Sequence, residues 1–294
     1  MSTAATQRGI VVGVDGSPNS VIAVDWAAHE AALRKVPLSV VNVLNPWSAP
    51  TLRGVPMPMP PSYTRLEQEE RSKLLGDAVK TARQIGPIDI SSELVLGPPT
   101  QTLVELSRDA EMVVVGRHGH GAMARALLGS VSSALVHHAH CPIAVIPESD
   151  SSMPHPSKAP VLLGIDGTPA SETATAIAFN EASWRGVELV ALHAWSDTAL
   201  FGLRTPDWSS LEADAKELLA ERLAGWQERF PDAVVHRVLV NDPPAQQLLE
   251  QSRSAKLVVV GSHGRGGFTG MLLGSVSTTV AHQAQTPVII ARRP

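Results

Sequence analysis

The chain has 294 residues, enough for two domains that each bury their own core. Hydrophobic residues make up 44% and charged residues 18%, a globular balance that excludes intrinsic disorder. With 24 Lys plus Arg against 28 Asp plus Glu, a net charge of -4, the basic footprint of a nucleic-acid binder is missing.

In chain order, residues 1–9 lack the basic-then-apolar pattern of a secretion signal, and no apolar run approaches the ~20 residues of a membrane helix. A cytoplasmic protein is expected. Residues 10–14 form a short apolar run that suits a strand buried on both faces. Residues 19–34 follow as a helix entered through Ser17-Pro18, with Val21, Val24, Ala28 and Ala32 at helical spacing. Residues 38–44 read as a strand, 46–61 as a long proline-rich loop and candidate lid, and 64–85 as a charged helix. On that helix Glu67, Glu69, Glu70, Arg71 and Lys73 read as an exposed face.

A strand over 90–96, a helix over 100–109, a strand over 112–115, a helix over 130–140 and a strand over 143–146 complete a βαβαβαβαβ pattern. Such alternation predicts a parallel sheet covered on both faces, with ligands at the carboxyl ends of its strands. The one cysteine, Cys141, precludes a disulfide framework and, standing before Pro142, reads as a packed thiol.

The pattern then recurs. GIVVGVDGSP at 9–18 returns as VLLGIDGTP at 161–169, and MVVVGRHGHGAMARALLGSVSS at 112–133 returns as LVVVGSHGRGGFTGMLLGSVST at 257–278. Each half is therefore a copy of one domain, 1–147 and 161–294, joined by a Ser- and Pro-rich linker at 148–160. Strands of the second copy fall near 161–165, 189–194, 234–240, 257–260 and 288–291, the last a candidate to pair edge to edge with 143–146 as an intramolecular pseudo-dimer.

In both copies a strand stops at a glycine and enters Gly116-x-x-Gly119 or Gly261-x-x-Gly264, followed after nine residues by Gly129-Ser130 or Gly274-Ser275 at a helix start. Glycines let backbone N–H groups converge into an anion nest, and the helix adds its own unpaired N–H groups and dipole. Ser130 and Ser132 are candidate further donors. No Gly-Lys-Ser/Thr follows, and the turn comes after the fourth strand, so this is neither a P-loop nor a dinucleotide fingerprint. Asp15 and Asp166 lie at the same sheet edge and either accept an adenine amino group or cap their turns; local sequence leaves both readings open.

With its Gly-x2-Gly-x9-Gly-Ser/Thr spacing intact twice, the chain resembles a tandem universal stress protein over nearly all its length. The resemblance implies two Rossmann-like α/β domains, each a five-stranded parallel sheet of order 3-2-1-4-5 with helices on both faces. It also implies ATP as ligand and a role as a stress-response or growth regulator acting through nucleotide-dependent partner binding. Asp15 and Asp166 would contact adenine or ribose, with backbone at Gly13, Val43, Gly164 and Ala194. In the first half Gly116, Gly119, Gly129, Ser130 and Ser132 would hold phosphates, with His120, Gly121, Arg125 and Val131 alongside. Their counterparts are Gly261, Gly264, Gly274, Ser275 and Ser277, with Arg265, Gly266 and Val276.

His120 stands where the second copy has Arg265, which predicts a weaker or pH-sensitive first site. A bound triphosphate commonly brings Mg²⁺, held by phosphate oxygens and water. No metal site is expected from His137, His138 and His140, since no carboxylate or thiol completes them. Absent a paired acid and base, a triad or a phosphate lysine, efficient catalysis is not expected; slow ATP hydrolysis, cyclic AMP binding, a homodimer and a scaffold with vestigial pockets stay open.

Overall fold

The computed structural model describes residues 8–45, 51–52, 55–56, 61–119, 128–148, 158–168, 171–194, 208–263 and 273–292. The chain divides into two compact units, 1–148 and 149–293. Among the described residues no helix is long and apolar enough to cross a membrane.

In the first unit the apolar runs become strands β1 (Ile10–Gly13), β2 (Leu38–Leu44), a two-residue antiparallel ladder β3 (Thr51–Leu52) and β4 (Val55–Pro56), then β5 (Ile90–Leu96), β6 (Met112–Gly116) and β7 (Ile143–Ile146). Helices α1 (Pro18–Arg34), α2 (Pro61–Arg83), α3 (Pro99–Leu106) and α4 (Ser130–His138) lie between them. Helix α2 begins three residues before its sequence expectation, at a proline fixed for the first helical turn. Apart from its short ladder and Pro61, the candidate lid at 46–61 lies outside the described residues.

All pairings of the main sheet are parallel, in the order β5-β2-β1-β6-β7, so the order is 3-2-1-4-5 within the unit. Ile10, Val11 and Val12 of β1 and Met112, Val113 and Val114 of β6 are fully buried, as continuous apolar runs covered on both faces require. Helix α1 packs on α2, and α3 on α4. A Cβ at Gly13 would meet Leu103 of α3, whereas one at Gly116 would meet Asn19 of α1, which places the two helix pairs on opposite faces.

The second unit repeats the plan with β8 (Val161–Gly164), α5 (Glu172–Arg185), β9 (Leu189–Ala194), α6 (Trp208–Arg229), β10 (Val235–Val240), α7 (Pro244–Ser252), β11 (Leu257–Gly261), α8 (Ser275–Gln283) and β12 (Val288–Ala291). Its strands pair in parallel in the order β10-β9-β8-β11-β12, again 3-2-1-4-5. Both sheets therefore reverse direction between strands one and four, β1 and β6 or β8 and β11.

The copies solve one helix end differently. Helix α5 ends on Gly186 at φ 60°, which glycine adopts without cost, whereas α1 ends on Lys35 at φ 58° with the same pair of backbone bonds to the preceding turn. A left-handed lysine is strained by about 1–2 kcal/mol, partly offset by the greater unfolded freedom of glycine. Lys35→Gly is therefore expected to stabilise the chain by about 0.5–1 kcal/mol. Thermal melts of the two proteins check this, and an unchanged or lower melting temperature would contradict it.

Candidate functional site

At the reversal point of the first unit, β1 runs into a turn in which Asp15 Oδ1 accepts the Ser17 N–H at 2.9 Å. Ser17 in turn caps α1, its hydroxyl accepting the Ser20 N–H. The turn is held from strand two: Asn42 Nδ2 donates to the Val14 carbonyl at 2.6 Å. In the second unit His193 takes that part, its Nδ1 lying 2.7 Å from the Ile165 carbonyl, so Nδ1 carries the proton. Asn42 and His193 directly precede Val43 and Ala194, the strand positions expected at the adenine.

Across the reversal, β6 ends and its loop returns to α4. Arg117 N–H donates to Ile146 O at 2.7 Å, and the Arg117 carbonyl accepts the Gly129 N–H at 2.9 Å and the Ser132 hydroxyl at 2.8 Å. The second unit keeps this frame, with Ser262 N–H on Ala291 O at 2.9 Å, Gly274 N–H on Ser262 O at 2.7 Å, and the Ser277 hydroxyl on the Gly261 carbonyl. In both units the hydroxyl expected to donate to phosphate donates to a carbonyl at the strand end, Arg117 just beyond β6 and Gly261 at the close of β11. Ser132 and Ser277 thus fix the shape of the loop.

Helices α4 and α8 start at Gly129 and Gly274 with no side-chain cap, so their first turns, with Ser130 and Val131 or Ser275 and Val276, present backbone toward the loop. A Cβ on Gly129 would stand 3.4 Å from Arg117 O and 3.6 Å from Gly119 N, at ordinary contact distance in the mouth of the nest. A Cβ on Gly119 would lie only 2.3 Å from Asp15 Oδ2. The missing side chain is what admits the carboxylate, and the structure brings together two residues assigned to opposite ends of a nucleotide.

Three more of these glycines also sit in close packing. A Cβ at Gly116 would be 2.9 Å from Asn19 Cβ, and one at Gly13 or Gly164 would be 3.1 Å from Leu103 or Leu248. His120, Gly121, Arg125, Gly264, Arg265 and Gly266 lie outside the described residues.

Several polar atoms are left for a ligand. Asp166 Oδ1 accepts both the N–H and hydroxyl of Thr168, while Asp166 Oδ2 is buried with no hydrogen-bond partner among the described residues. An acceptor of that kind fits an amino or hydroxyl donor such as adenine or ribose supplies. Arg117 Nε and Nη2 and His118 Nε2 are likewise buried without partners. Burial lowers the pKa of the Arg117 guanidinium below its ordinary value, and the charge of Glu148 raises it in part. Helix α2 contributes Arg71, half-buried, whose Nη1 reaches 3.5 Å from the Asp15 carbonyl. Arg71 is thus drawn out of the exposed charge run toward the turn. Cys141 is buried, remote in role from these groups.

The fold and this repeated framework define a tandem α/β protein with an acidic turn and a helix start lacking a side-chain cap at each sheet reversal. The universal stress protein family profile matches residues 7–147 and again 159–292, and the chain belongs to that family. It is 54% identical to universal stress protein Rv2005c of Mycobacterium tuberculosis, covering all of both chains. Universal stress protein Rv2623 of the same species is 51% identical over 99% of each. Among solved structures, a universal stress protein from Archaeoglobus fulgidus matches 98% of this chain and 100% of its own at a TM-score of 0.71 and 20% identity, a likeness of fold.

Proposed function

We propose that each unit binds an adenine nucleotide, ATP foremost, and that occupancy governs how the protein engages a regulatory partner in the stress response. One arrangement supports this: in the first unit the Asp15 carboxylate meets Gly119 beside the start of α4, and in the second Asp166 Oδ2 is buried without a hydrogen-bond partner among the described residues. Backbone N–H groups and the helix dipole suit phosphates, and the carboxylate suits the donors of adenine or ribose. The role is binding rather than turnover; Mg²⁺, where present, is carried by the phosphates. The polypeptide is organised as domain 1–147, linker 148–160 and domain 161–294.

The test is mass spectrometry of nucleotide released from the denatured, purified full chain, counted per chain, with Gly129→Ala plus Gly274→Ala as comparison. Close to two ATP per wild-type chain is expected, and near none in the double variant at a similar melting temperature. The methyl group of the Gly129 variant meets the nest at contact distance without a collision, so it blocks ligand and spares the fold. Cyclic AMP in place of ATP would change the assigned ligand. No nucleotide, together with no binding of added ATP, would leave only a scaffold.

A further inference from the structure

Arg117 is the first residue beyond β6, where the second unit has Ser262. Its N–H still completes the ladder to Ile146, and the chain bends at Arg117 itself. Along β6, Val115 lies on the α3 face, its Cγ1 3.4 Å from the Cβ position of Gly13, and Gly116 faces α1. The Arg117 carbonyl, which accepts the Gly129 N–H and the Ser132 hydroxyl, holds the residue against the N-terminus of α4.

The residue is 8% exposed, and its Nε and Nη2 are buried without hydrogen-bond partners among the described residues. Glu148 helps electrostatically, but its Oε1 accepts from Asn19 Nδ2 at 3.3 Å, and burial outweighs its field at Arg117. Arginine stays charged, so a buried guanidinium with two idle donors is an incomplete ion pair whose missing member is an anion. His118 beside it adds a third idle donor or acceptor, Nε2. In the second unit the same two positions satisfy one another, Ser262 Oγ lying 3.0 Å from His263 Nδ1.

We infer that Arg117 is a phosphate-chain ligand of the first unit, which makes that unit selective for nucleoside triphosphate over monophosphate through a contact that Ser262 cannot make in the second unit. The inference rests on the proposed nucleotide binding. A nest of backbone N–H groups carries partial charges and accepts an anion of any length; a full charge on a planar fork rewards each added phosphate oxygen.

Equilibrium dialysis of ATP and of AMP against the full chain, wild type and Arg117→Ser, tests this. Wild type is expected to bind ATP at two sites of unequal affinity and AMP at two of similar affinity. Arg117→Ser, which imports the residue of the sister loop, should weaken ATP at one site by roughly tenfold or more and leave AMP unchanged. Inorganic tripolyphosphate, which has no base, should raise the melting temperature of wild type more than that of the variant.

Two equal ATP sites in wild type would overturn the inference without need of any variant, as would an Arg117→Ser chain that binds ATP like wild type. Equal weakening of ATP and AMP would also overturn it, by reducing Arg117 to a support of the loop. In these three cases nucleotide binding itself survives. A wild-type chain that binds neither nucleotide nor tripolyphosphate would remove both readings.

Discussion

Glu30→Ala is expected to lower stability by about 3–5 kcal/mol, since breaking a buried ion pair leaves its partner uncompensated. Glu30 is fully buried on α1, and its Oε1 accepts from Arg34 Nε at 2.6 Å one helical turn on. The second unit repeats the device with Glu181 and Arg185 on α5, Glu181 again fully buried. A natural domain holds only about 5–15 kcal/mol in all, so this loss takes a large part of what keeps one unit folded. At about 2–4 °C per kcal/mol, the melting temperature should fall by about 6–20 °C. Differential scanning calorimetry of the full chain measures it, and a fall below about 2 °C would show that solvent or neighbours replace the pair. The companion variant, Glu30→Leu with Arg34→Met, removes both charges and should recover most of the loss, because apolar replacements of a buried pair are often neutral or stabilising.

The fold was legible because its strands are buried on both faces and so spell themselves as uninterrupted runs such as IVVG and MVVVG, and because the whole pattern occurs twice. The turn at Ser17-Pro18 was legible as well, since capping is local chemistry. What stayed hidden depends on approach between elements distant in the chain. Asn42 and His193 share no residue type, yet each holds the carbonyl before the turn carboxylate, and only strand register reveals the equivalence. Comparing the copies position by position sets Arg117 against Ser262, but it cannot tell that the guanidinium is buried and, among the described residues, without a hydrogen-bond partner at Nε and Nη2. Arg71 looked like one charge in a solvated run because helical periodicity cannot say which side of the helix meets the β1 turn. Residue type marks the serines as donors, but it cannot tell that Ser132 and Ser277 donate to the carbonyls of Arg117 and Gly261.

Gly116→Ala is the second large effect, and it separates packing from binding. Sequence spacing alone places Gly116 among the phosphate glycines, but a Cβ there would stand 2.9 Å from Asn19 Cβ and 3.0 Å from both the carbonyl carbon and oxygen of Asn19. Two of those atoms are backbone, at the start of α1 beside its Pro18 and Ser17 cap, so no side-chain rotation relieves the clash. Asn19 is itself buried and tied to Glu148. The helix must shift against the sheet, at an expected cost of about 2–3 kcal/mol, the upper part of the range for overpacking. That corresponds to a melting temperature lower by about 4–12 °C. Any nucleotide loss in this variant should follow the unfolded fraction on a temperature series, and should shrink on cooling as the folded population recovers. Gly129→Ala should behave in the opposite way, empty at every temperature at which it is folded, because its methyl group meets the nest and not the core. Should Gly116→Ala melt like wild type and still lose nucleotide, the phosphate role would belong to Gly116 directly, and the close approach of α1 would be a contact the fold can release without cost.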